Sequence, residues 1–261
     1  MPAGKNIIAV IHAAVADDAP ADEKDVLFQV EAVSASLEKL GFEPVILPVS
    51  LNLEETARQL ERIRPAAVFN LVESLAGSGK LISLAPALLE SFDVPFTGAG
   101  SEAMVLTTSK ILSKEILVSA HIDTPQWQGF CKNGTTISFD PPYIIKPVNE
   151  DASVGLDDDS FSRDKKEALR ILRENSRRYG ECFIEKYIPG REFNVSLLAG
   201  EKGPVILPAA EMEFKSFPDD KPRIVGYRAK WRSGTFEYRN TVRTFLFKPA
   251  DRALLDNLSK I

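Results

Sequence analysis

Lysine and glutamate side chains stand inside otherwise apolar stretches of this sequence. Lys146 ends one apolar run, and Glu185 and Lys186 lie within the run Cys182-Phe-Ile-Glu-Lys-Tyr-Ile. Because strand residues alternate between the two faces of a sheet, Lys146 shares a face with Ile144, and Glu185 and Lys186 point to opposite faces. A buried charge is costly unless an opposite charge or a ligand compensates it. We therefore predict that these side chains converge on a polyanionic ligand.

Each of these charges alone also fits a simpler interpretation. Edge strands of sheets carry charged side chains at the sheet margin, where no ligand is needed. Lys110, in a predicted helix, and Lys230, in the segment Tyr227-Arg-Ala-Lys-Trp, are weaker candidates, since most helix and loop lysines are only solvated. The prediction of a polyanion site therefore depends on the charges acting together.

The elements that must position these residues alternate between strand and helix in the first hundred residues. Apolar runs predict strands over 6–12, 42–49, 66–72 and 94–97, and helices over 25–40, 53–63 and 81–91 separate them. In the first helix, one apolar stripe is predicted, formed by Val26, Val30, Val33, Leu37 and Leu40. Alternating strands and helices predict a parallel sheet, so this part is an α/β domain that closes near residue 100.

After residue 100 the order of elements changes. We predict helices over 109–120 and 164–179, the second of which buries Ala168, Ile171 and Leu172. The predicted strands are 143–146, 182–188, 192–198 and 205–212, and the acidic triplet Asp157 to Asp159 is interpreted as a solvated loop. A helix followed by consecutive strands suggests an antiparallel sheet in an α+β region. The predicted domains are residues 1–100, 101–180 and 181–261.

Composition excludes several classes of protein. The 261 residues include 32 Lys+Arg and 37 Asp+Glu, for a net charge of −5, so the basic surface that nucleic acid or an anionic membrane requires is absent. The two cysteines cannot form a disulfide framework. The apolar runs are too short for a membrane span, and the amino terminus does not read as an export signal. These observations favour a cytoplasmic protein.

The order of several motifs resembles the D-alanine–D-alanine ligase branch of the ATP-grasp superfamily over nearly the whole chain. The segments that carry the resemblance are Phe69-Asn-Leu-Val-Glu, Val94-Pro-Phe-Thr-Gly, Ser109-Lys-Ile-Leu-Ser-Lys, Ile144-Ile-Lys-Pro, Glu150-Asp-Ala-Ser-Val-Gly, Phe183-Ile-Glu-Lys-Tyr-Ile-Pro-Gly-Arg-Glu-Phe and Ala229-Lys-Trp. The resemblance implies a pre-ATP-grasp domain followed by an ATP-grasp region of two subdomains, the second of them incomplete.

The resemblance also implies a role for each matching residue. Lys110 and Lys146 correspond to the two lysines on the ATP phosphates, and Ser153 lies in the small-residue loop that covers them. The strand holding Glu185, Lys186 and Ile188 would meet adenine, and Glu192 would bind the ribose. Lys230 would be the catalytic lysine of a flap that closes over the γ-phosphate and excludes water.

The implied reaction is ATP-dependent formation of an amide between two small amino acids through an acyl phosphate, as in the synthesis of the cell-wall dipeptide. Mg²⁺ is the implied cofactor beside ATP. In the family its ligands lie in a late Asp-x-Arg and Glu-x-Asn, and neither motif follows Lys230 before Ile261. We therefore expect no metal ligands in these residues and no ATP turnover by the 261-residue chain, which is either a fragment, as the stop within a predicted helix favours, or a natural truncation.

The substrate-binding positions depart from the family pattern. Glu73, Ala152 and Trp231 are the expected substrate-binding positions, but Ala152 and Trp231 replace a Ser and a Tyr that hydrogen-bond one another in the family. An indole beside a methyl group is expected only to pack, which predicts a less polar pocket and a substrate other than D-alanine. Other amino acids, a hydroxy acid or a peptide, and a nucleotide-binding module without catalysis, are therefore alternatives. The resemblance also suggests a homodimer.

Overall fold

The computed structural model describes residues 4–131 and 134–260, whose contacts divide the chain into two units. Unit 1 comprises Met1–Glu115 and Val148–Asp151, and unit 2 comprises Ile116–Pro147 and Ala152–Ile261. The predicted domain boundaries after residues 100 and 180 stay predictions. Within the described residues, no helix combines the length and the apolar character that a membrane span needs.

Unit 1 is built on a parallel sheet of three strands. They are β1 (Gly4–Ala13), β2 (Glu43–Val49) and β3 (Pro65–Leu71), in the order β2-β1-β3. The predicted parallel sheet is confirmed. The central strand is apolar on both faces, as a strand covered on both sides must be, and Val10 and Ile11 are buried.

Helices follow or flank these strands. Their bounds are α1 (Ala21–Lys39), α2 (Leu53–Ile63), α3 (Leu84–Ser91), α4 (Ser101–Thr108) and α5 (Lys110–Ser119), with a short 3₁₀ turn at Gly79–Leu81. Two details of the prediction are wrong. Leu40 is 72% exposed because α1 ends one residue before it. Residues 94–97 form only a single bridge, Val68 to Phe96, and not a strand.

Unit 2 contains an antiparallel sheet of four strands. They are β4 (Trp127–Gly129), β5 (Tyr143–Pro147), β6 (Phe161–Ser162) and β7 (Cys182–Lys186), in the order β4-β7-β5-β6. Helix α6 (Lys165–Arg178) packs on one face through the predicted stripe Ala168, Ile171 and Leu172, against a core that includes Ile145 and Ile184. Alternation along β5 and β7 therefore turns Lys146 and Glu185 to the other face.

The rest of unit 2 holds a second antiparallel sheet, a two-stranded ribbon and short helices. The sheet is β12-β11-β8, the ribbon is β9-β10, and the bounds are β8 (Glu192–Asn194), β9 (Leu197–Leu198), β10 (Val205–Ile206), β11 (Ala210–Phe214), α7 (Tyr227–Trp231), α8 (Phe236–Asn240), β12 (Thr241–Thr244) and α9 (Arg252–Leu258). The predicted strands 192–198 and 205–212 are each split in two. The second splits near Pro208, which has no N–H to donate to a ladder.

Candidate functional site

Lys146 and Glu185 form an ion pair across two neighbouring strands. Ile144 lies directly opposite Glu185 on the neighbouring strand. Lys146, two residues after Ile144, is therefore the diagonal neighbour of Glu185 on the same face of the sheet. The Lys146 Nζ to Glu185 Oε2 distance is 2.5 Å, and Glu185 is only 6% exposed. Because β7 lies between β4 and β5, with Trp127 and Ile144 opposite Glu185, the edge-strand interpretation of Glu185 is wrong. Lys146 lies two residues beyond the part of β5 that pairs with β6.

Glu192, at the start of β8, belongs to the same group of charges. Burial raises the pKa of its carboxyl group, and the positive charges of Lys146 and Lys230 oppose that rise. These interactions bring three sequence-predicted residues into one electrostatic environment. We call Lys146, Glu185, Glu192 and Lys230 the lysine–glutamate cluster. It lies wholly in unit 2.

Lys186 and Ile188 lie at the end of β7. The Lys186 Nζ donates hydrogen bonds to the carbonyl oxygens of Asp140, at 2.7 Å, and Pro141, at 2.6 Å. Ile188 lies two residues beyond the strand, and its side chain is 59% exposed. Among the described residues, no backbone hydrogen bond engages the N–H or C=O of Ile188. Both groups can therefore accept a ligand at this strand end.

Lys110 lies in unit 1, on the first turn of α5. Its Nζ donates to the carbonyl oxygen of Glu150 at 2.5 Å and to Asp151 Oδ1 at 3.4 Å. Burial raises the pKa of Glu150, although the Gly79 N–H and the Lys110 charge both lower it. Gly79 is required here because a Cβ atom would lie 2.4 Å from the Asn149 carbonyl oxygen. The 148–151 segment is thus held against Gly79 and Lys110 within unit 1.

Glu73 also lies in unit 1, two residues beyond the end of β3. It is exposed, and its Oε1 accepts a hydrogen bond of 3.2 Å from Gln29 on α1. The carboxyl ends of parallel strands are the usual place for ligands in open α/β sheets. The position of Glu73 fits a substrate role, which stays a prediction.

The indole of Trp231 contacts the segment that holds Ala152 and Ser153. Trp231 Nε1 donates a 2.8 Å hydrogen bond to the carbonyl oxygen of Ala152, so the expectation that this indole only packs is wrong. The backbone oxygen takes the part of the missing side-chain hydroxyl as acceptor. Ser153 Oγ donates to the Val225 carbonyl oxygen at 2.7 Å. Ala152 and Ser153 have φ values of 53° and 65°, a region that side chains disfavour.

The acidic triplet is not simply a solvated loop, as the sequence suggested. Asp157 and Asp158 contact Arg228 on α7, and Asp158 also contacts Lys221. Sequence reasoning missed Arg228, which stands two residues before Lys230. The signal was weak, because charges on separate loops reveal their pairing only when the fold is known.

Magnesium ligands are not assembled in the part of the chain that the structure describes. Within residues 4–131 and 134–260, no three His, Cys, Asp or Glu side chains come together as a metal site. The lysine–glutamate cluster contains two lysines, Lys146 and Lys230, which can donate to phosphate oxygens as flexible point charges, and two carboxylates that balance them. The described residues therefore fit a nucleotide phosphate but do not by themselves fit Mg²⁺.

Known proteins of similar sequence are ligases, although no protein-family model matches the chain. The D-alanine–D-alanine ligase of Aquifex aeolicus is 30% identical over 213 residues, which cover 80% of this chain and 66% of the relative. The chain spans 62 to 66% of the length of such curated relatives.

Solved structures show the same fold. The D-alanine–D-alanine ligase of Bacillus anthracis matches with a TM-score of 0.68 at 21% identity, covering 97% of this chain and 76% of that one. The same enzyme complexed with ATP matches with a TM-score of 0.64. An L-amino acid ligase of Bacillus licheniformis matches with a TM-score of 0.61 at 17% identity, covering 97% of this chain and 58% of its own.

The fold of the chain is therefore that of the ATP-grasp ligases. The sequence relationship agrees with this fold, since the chain is similar to D-alanine–D-alanine ligases over about 80% of its own length.

Proposed function

We propose that this chain carries the nucleotide site and the flap of an ATP-dependent ligase that joins the carboxylate of one amino acid to the amine of another. The observation that carries the proposal is the lysine–glutamate cluster, in which the buried carboxylate of Glu185 pairs with the half-buried ammonium group of Lys146 on neighbouring interior strands. A buried ion pair is at best neutral for stability compared with apolar residues of similar volume. Its presence in the interior strands therefore points to a role in binding.

In this proposal Lys146 and Lys230 of unit 2 neutralise ATP phosphates, and the phosphate-binding role of Lys110 stays a prediction of its own. The backbone groups of Ile188 bind the edge of the adenine ring, and the Glu192 carboxylate accepts the ribose hydroxyls. The solved Bacillus anthracis relative is described as complexed with ATP, which supports the choice of nucleotide.

The proposed reaction has two steps. A carboxylate oxygen of the first amino acid attacks the γ-phosphorus, the bond to the β,γ-bridging oxygen breaks, and ADP leaves. The amine of the second amino acid then attacks the acyl carbon, phosphate leaves, and the nitrogen loses a proton. Little protein chemistry is needed beyond orientation and charge neutralisation, which Lys230 supplies at the transferring phosphoryl group.

Replacement of Lys146 tests the proposal. We expect Lys146→Met to weaken binding of a fluorescent ATP analogue by about 1.5 to 3 kcal/mol, the range for a lost charge-assisted contact. The same change removes the ammonium group that neutralises Glu185, so the variant is also expected to be less stable. The double variant Lys146→Met/Glu185→Gln separates the two effects, because it removes both charges together.

The double variant should regain stability in urea unfolding without regaining affinity. Lys166→Met, on the exposed side of α6, is the matched control and should bind the analogue as the parent chain does. The proposal fails if Lys146→Met and the double variant both bind the analogue with parental affinity.

The 261-residue chain alone is proposed to bind nucleotide weakly and not to turn it over. Residues 231–261 contain neither the Asp-x-Arg nor the Glu-x-Asn motif of the family. Mg²⁺-dependent formation of ADP by the purified chain would contradict this. The predicted cytoplasmic location and homodimer stay proposals.

A second candidate keeps the chemistry and changes the substrates. Ala152 and Trp231 occupy the positions where the family uses hydroxyl groups, and the indole hydrogen bond ends on a backbone oxygen instead. One relative of the same fold is named an L-amino acid ligase. A phosphate-release screen of D- and L-amino acids, with the chain in its complete protein, would separate D-alanine from other substrates.

A further inference from the structure

The short helix that carries Lys230 is docked on a loop of its own unit, residues 152–158. The N–H of Tyr227 donates to the Leu156 carbonyl oxygen at 2.7 Å, and the N–H of Arg228 donates to Asp157 Oδ1 at 3.1 Å. At the other end of α7, Trp231 Nε1 donates to the Ala152 carbonyl oxygen. The helix is therefore held at both ends.

The approach of the two segments is close. A Cβ atom on Gly226 would lie 2.5 Å from Asp157 Oδ1 and 2.8 Å from the Leu156 carbonyl oxygen. Because the φ of Gly226 is −83°, its backbone is one that any residue adopts, and close contact alone demands glycine here. The residue just before α7 thus fits directly against the loop.

Charged side chains reinforce this contact. Arg228 Nη2 lies 3.0 Å from Asp158 Oδ2, Nε lies 3.5 Å from Asp157 Oδ1, and Nη1 lies 3.8 Å from Glu237 Oε1. Lys221 contacts Asp158 and, at 2.8 Å, Glu237. Two cations and three carboxylates therefore join the loop, α7 and α8.

These pairs are more sheltered than ordinary surface pairs. The Arg228 side chain is 33% exposed, and Glu237 is 11% exposed. Burial disfavours the charged guanidinium, but Asp157, Asp158 and Glu237 together outweigh burial, so the pKa of Arg228 is raised. Ion pairs in partial shelter are screened less by salt than exposed pairs are.

We propose that Arg228 is a positioning residue whose ion pairs to Asp157 and Asp158 hold α7 on the 152–158 loop. Lys230 lies two residues along the same helix, so the docking of α7 fixes the backbone position from which its side chain extends. The docking is independent of any ligand. Its consequence for Lys230 rests on the proposed function.

Trp231 is a built-in reporter of the docking. The chain has two tryptophans, and Trp127→Phe leaves Trp231 as the only one. In that background we expect Arg228→Gln to raise the acrylamide quenching constant of Trp231 at least about twofold, because release of a docked segment is a local opening that exposes its side chains. Arg228→Lys keeps a cation and should restore part of the protection. Acrylamide is uncharged, so the change of charge does not itself alter the quenching.

The matched control is Arg232→Gln, which removes one positive charge from an exposed arginine directly after α7. It should leave the quenching constant unchanged. Asp158→Asn tests the same contact from the loop and should raise the quenching constant as Arg228→Gln does. If circular dichroism shows that Arg228→Gln does not fold, Asp158→Asn decides the question.

Parental quenching in both Arg228→Gln and Asp158→Asn would overturn the proposal. An equal rise in Arg232→Gln would overturn it as well, since the effect would then be one of net charge. All quenching is measured without nucleotide. The result for the docking of α7 is therefore independent of the result that Lys146→Met gives for nucleotide binding.

Discussion

The central strands of the two units differ in whether they carry charged residues. In unit 1, β1 buries Val10 and Ile11 and carries no charge between Asn6 and Ile11. In unit 2, the interior strands β5 and β7 carry the Lys146–Glu185 pair, in which Glu185 is buried and Lys146 is half-buried, among apolar residues such as Ile145 and Ile184. Both sheets have an apolar core, but only the sheet of unit 2 also carries a sheltered ion pair, on the face opposite that core. This difference suggests that the two faces of the unit 2 sheet have two purposes, packing on one face and the proposed binding on the other.

The largest expected effect tests apolar packing, which the sheets of both units share. Ile11→Ala in β1 and Ile145→Ala in β5 remove side chains that are 1% and 0% exposed. Each should lower the free energy of unfolding by about 2 to 5 kcal/mol, from lost burial and the cavity left behind. Urea unfolding followed by circular dichroism measures both.

Ile46→Ala in β2 is the control, because this side chain is 50% exposed. It should cost about 1 kcal/mol or less. A loss that small for Ile145→Ala would break the comparison, since the sheet of unit 2 would then lack a tight core.

A second, smaller effect tests the sheltered ion pair in the sheet of unit 2. Glu185→Gln removes the carboxylate that pairs with Lys146 at 2.5 Å, and should cost about 1.5 to 3 kcal/mol, the range for hydrogen bonds to charged groups. Glu54→Gln breaks an equally short pair with Arg58 on α2 of unit 1, where the side chains are 75% and 62% exposed. That change should cost about 0.5 kcal/mol or less.

The ratio of these two losses sharpens the comparison. Equal losses at Glu185 and Glu54, measured in the same urea titrations, would mean that the buried position adds nothing to the pair. The interior charges would then need no functional explanation.

The parallel sheet of unit 1 could be predicted because its central strand β1 contains a continuous apolar run and helical segments separate the successive strands. Such a run reports burial on both faces, and residues 53–63 were predicted as a helix with the bounds that α2 has. The strands of unit 2 are two to five residues long and change partners along the chain. Strands this short do not show a clear alternation of apolar and polar residues, so residues 192–198 were predicted as one strand.

The candidate site was predictable in its residue types but not in its pairs. Lys146 and Glu185 were recognised because charges interrupt apolar runs. Their ion pair depends on the register that sets Ile144 opposite Glu185, which the sequence does not display. Trp231 was predicted only to pack, because its acceptor is a backbone oxygen, and any residue at position 152 offers one.

The smallest expected effect concerns Glu192. The pH dependence of stability shows whether burial or the nearby lysines dominate the pKa of its carboxyl group. Burial raises the pKa of this carboxyl group above its ordinary value of 4.5, although Lys146 and Lys230 oppose the rise. The folded chain therefore holds this proton more tightly than the unfolded chain does. The stability that the protonated carboxyl contributes is fully present below its unfolded pKa and is lost as pH rises through the folded pKa.

It follows that Glu192→Gln should stabilise the chain at pH 7.5 relative to its effect at pH 4.5, because the neutral amide does not ionise. Urea unfolding of both proteins at the two pH values measures the difference, and Glu201→Gln, at an exposed turn, is the control that should show none. If Glu192→Gln is instead more destabilising at pH 7.5, the two lysines outweigh burial. Glu192 would then be a paired charge like Glu185. The lysine–glutamate cluster would have no unpaired carboxylate to accept the hydroxyl groups of a ligand.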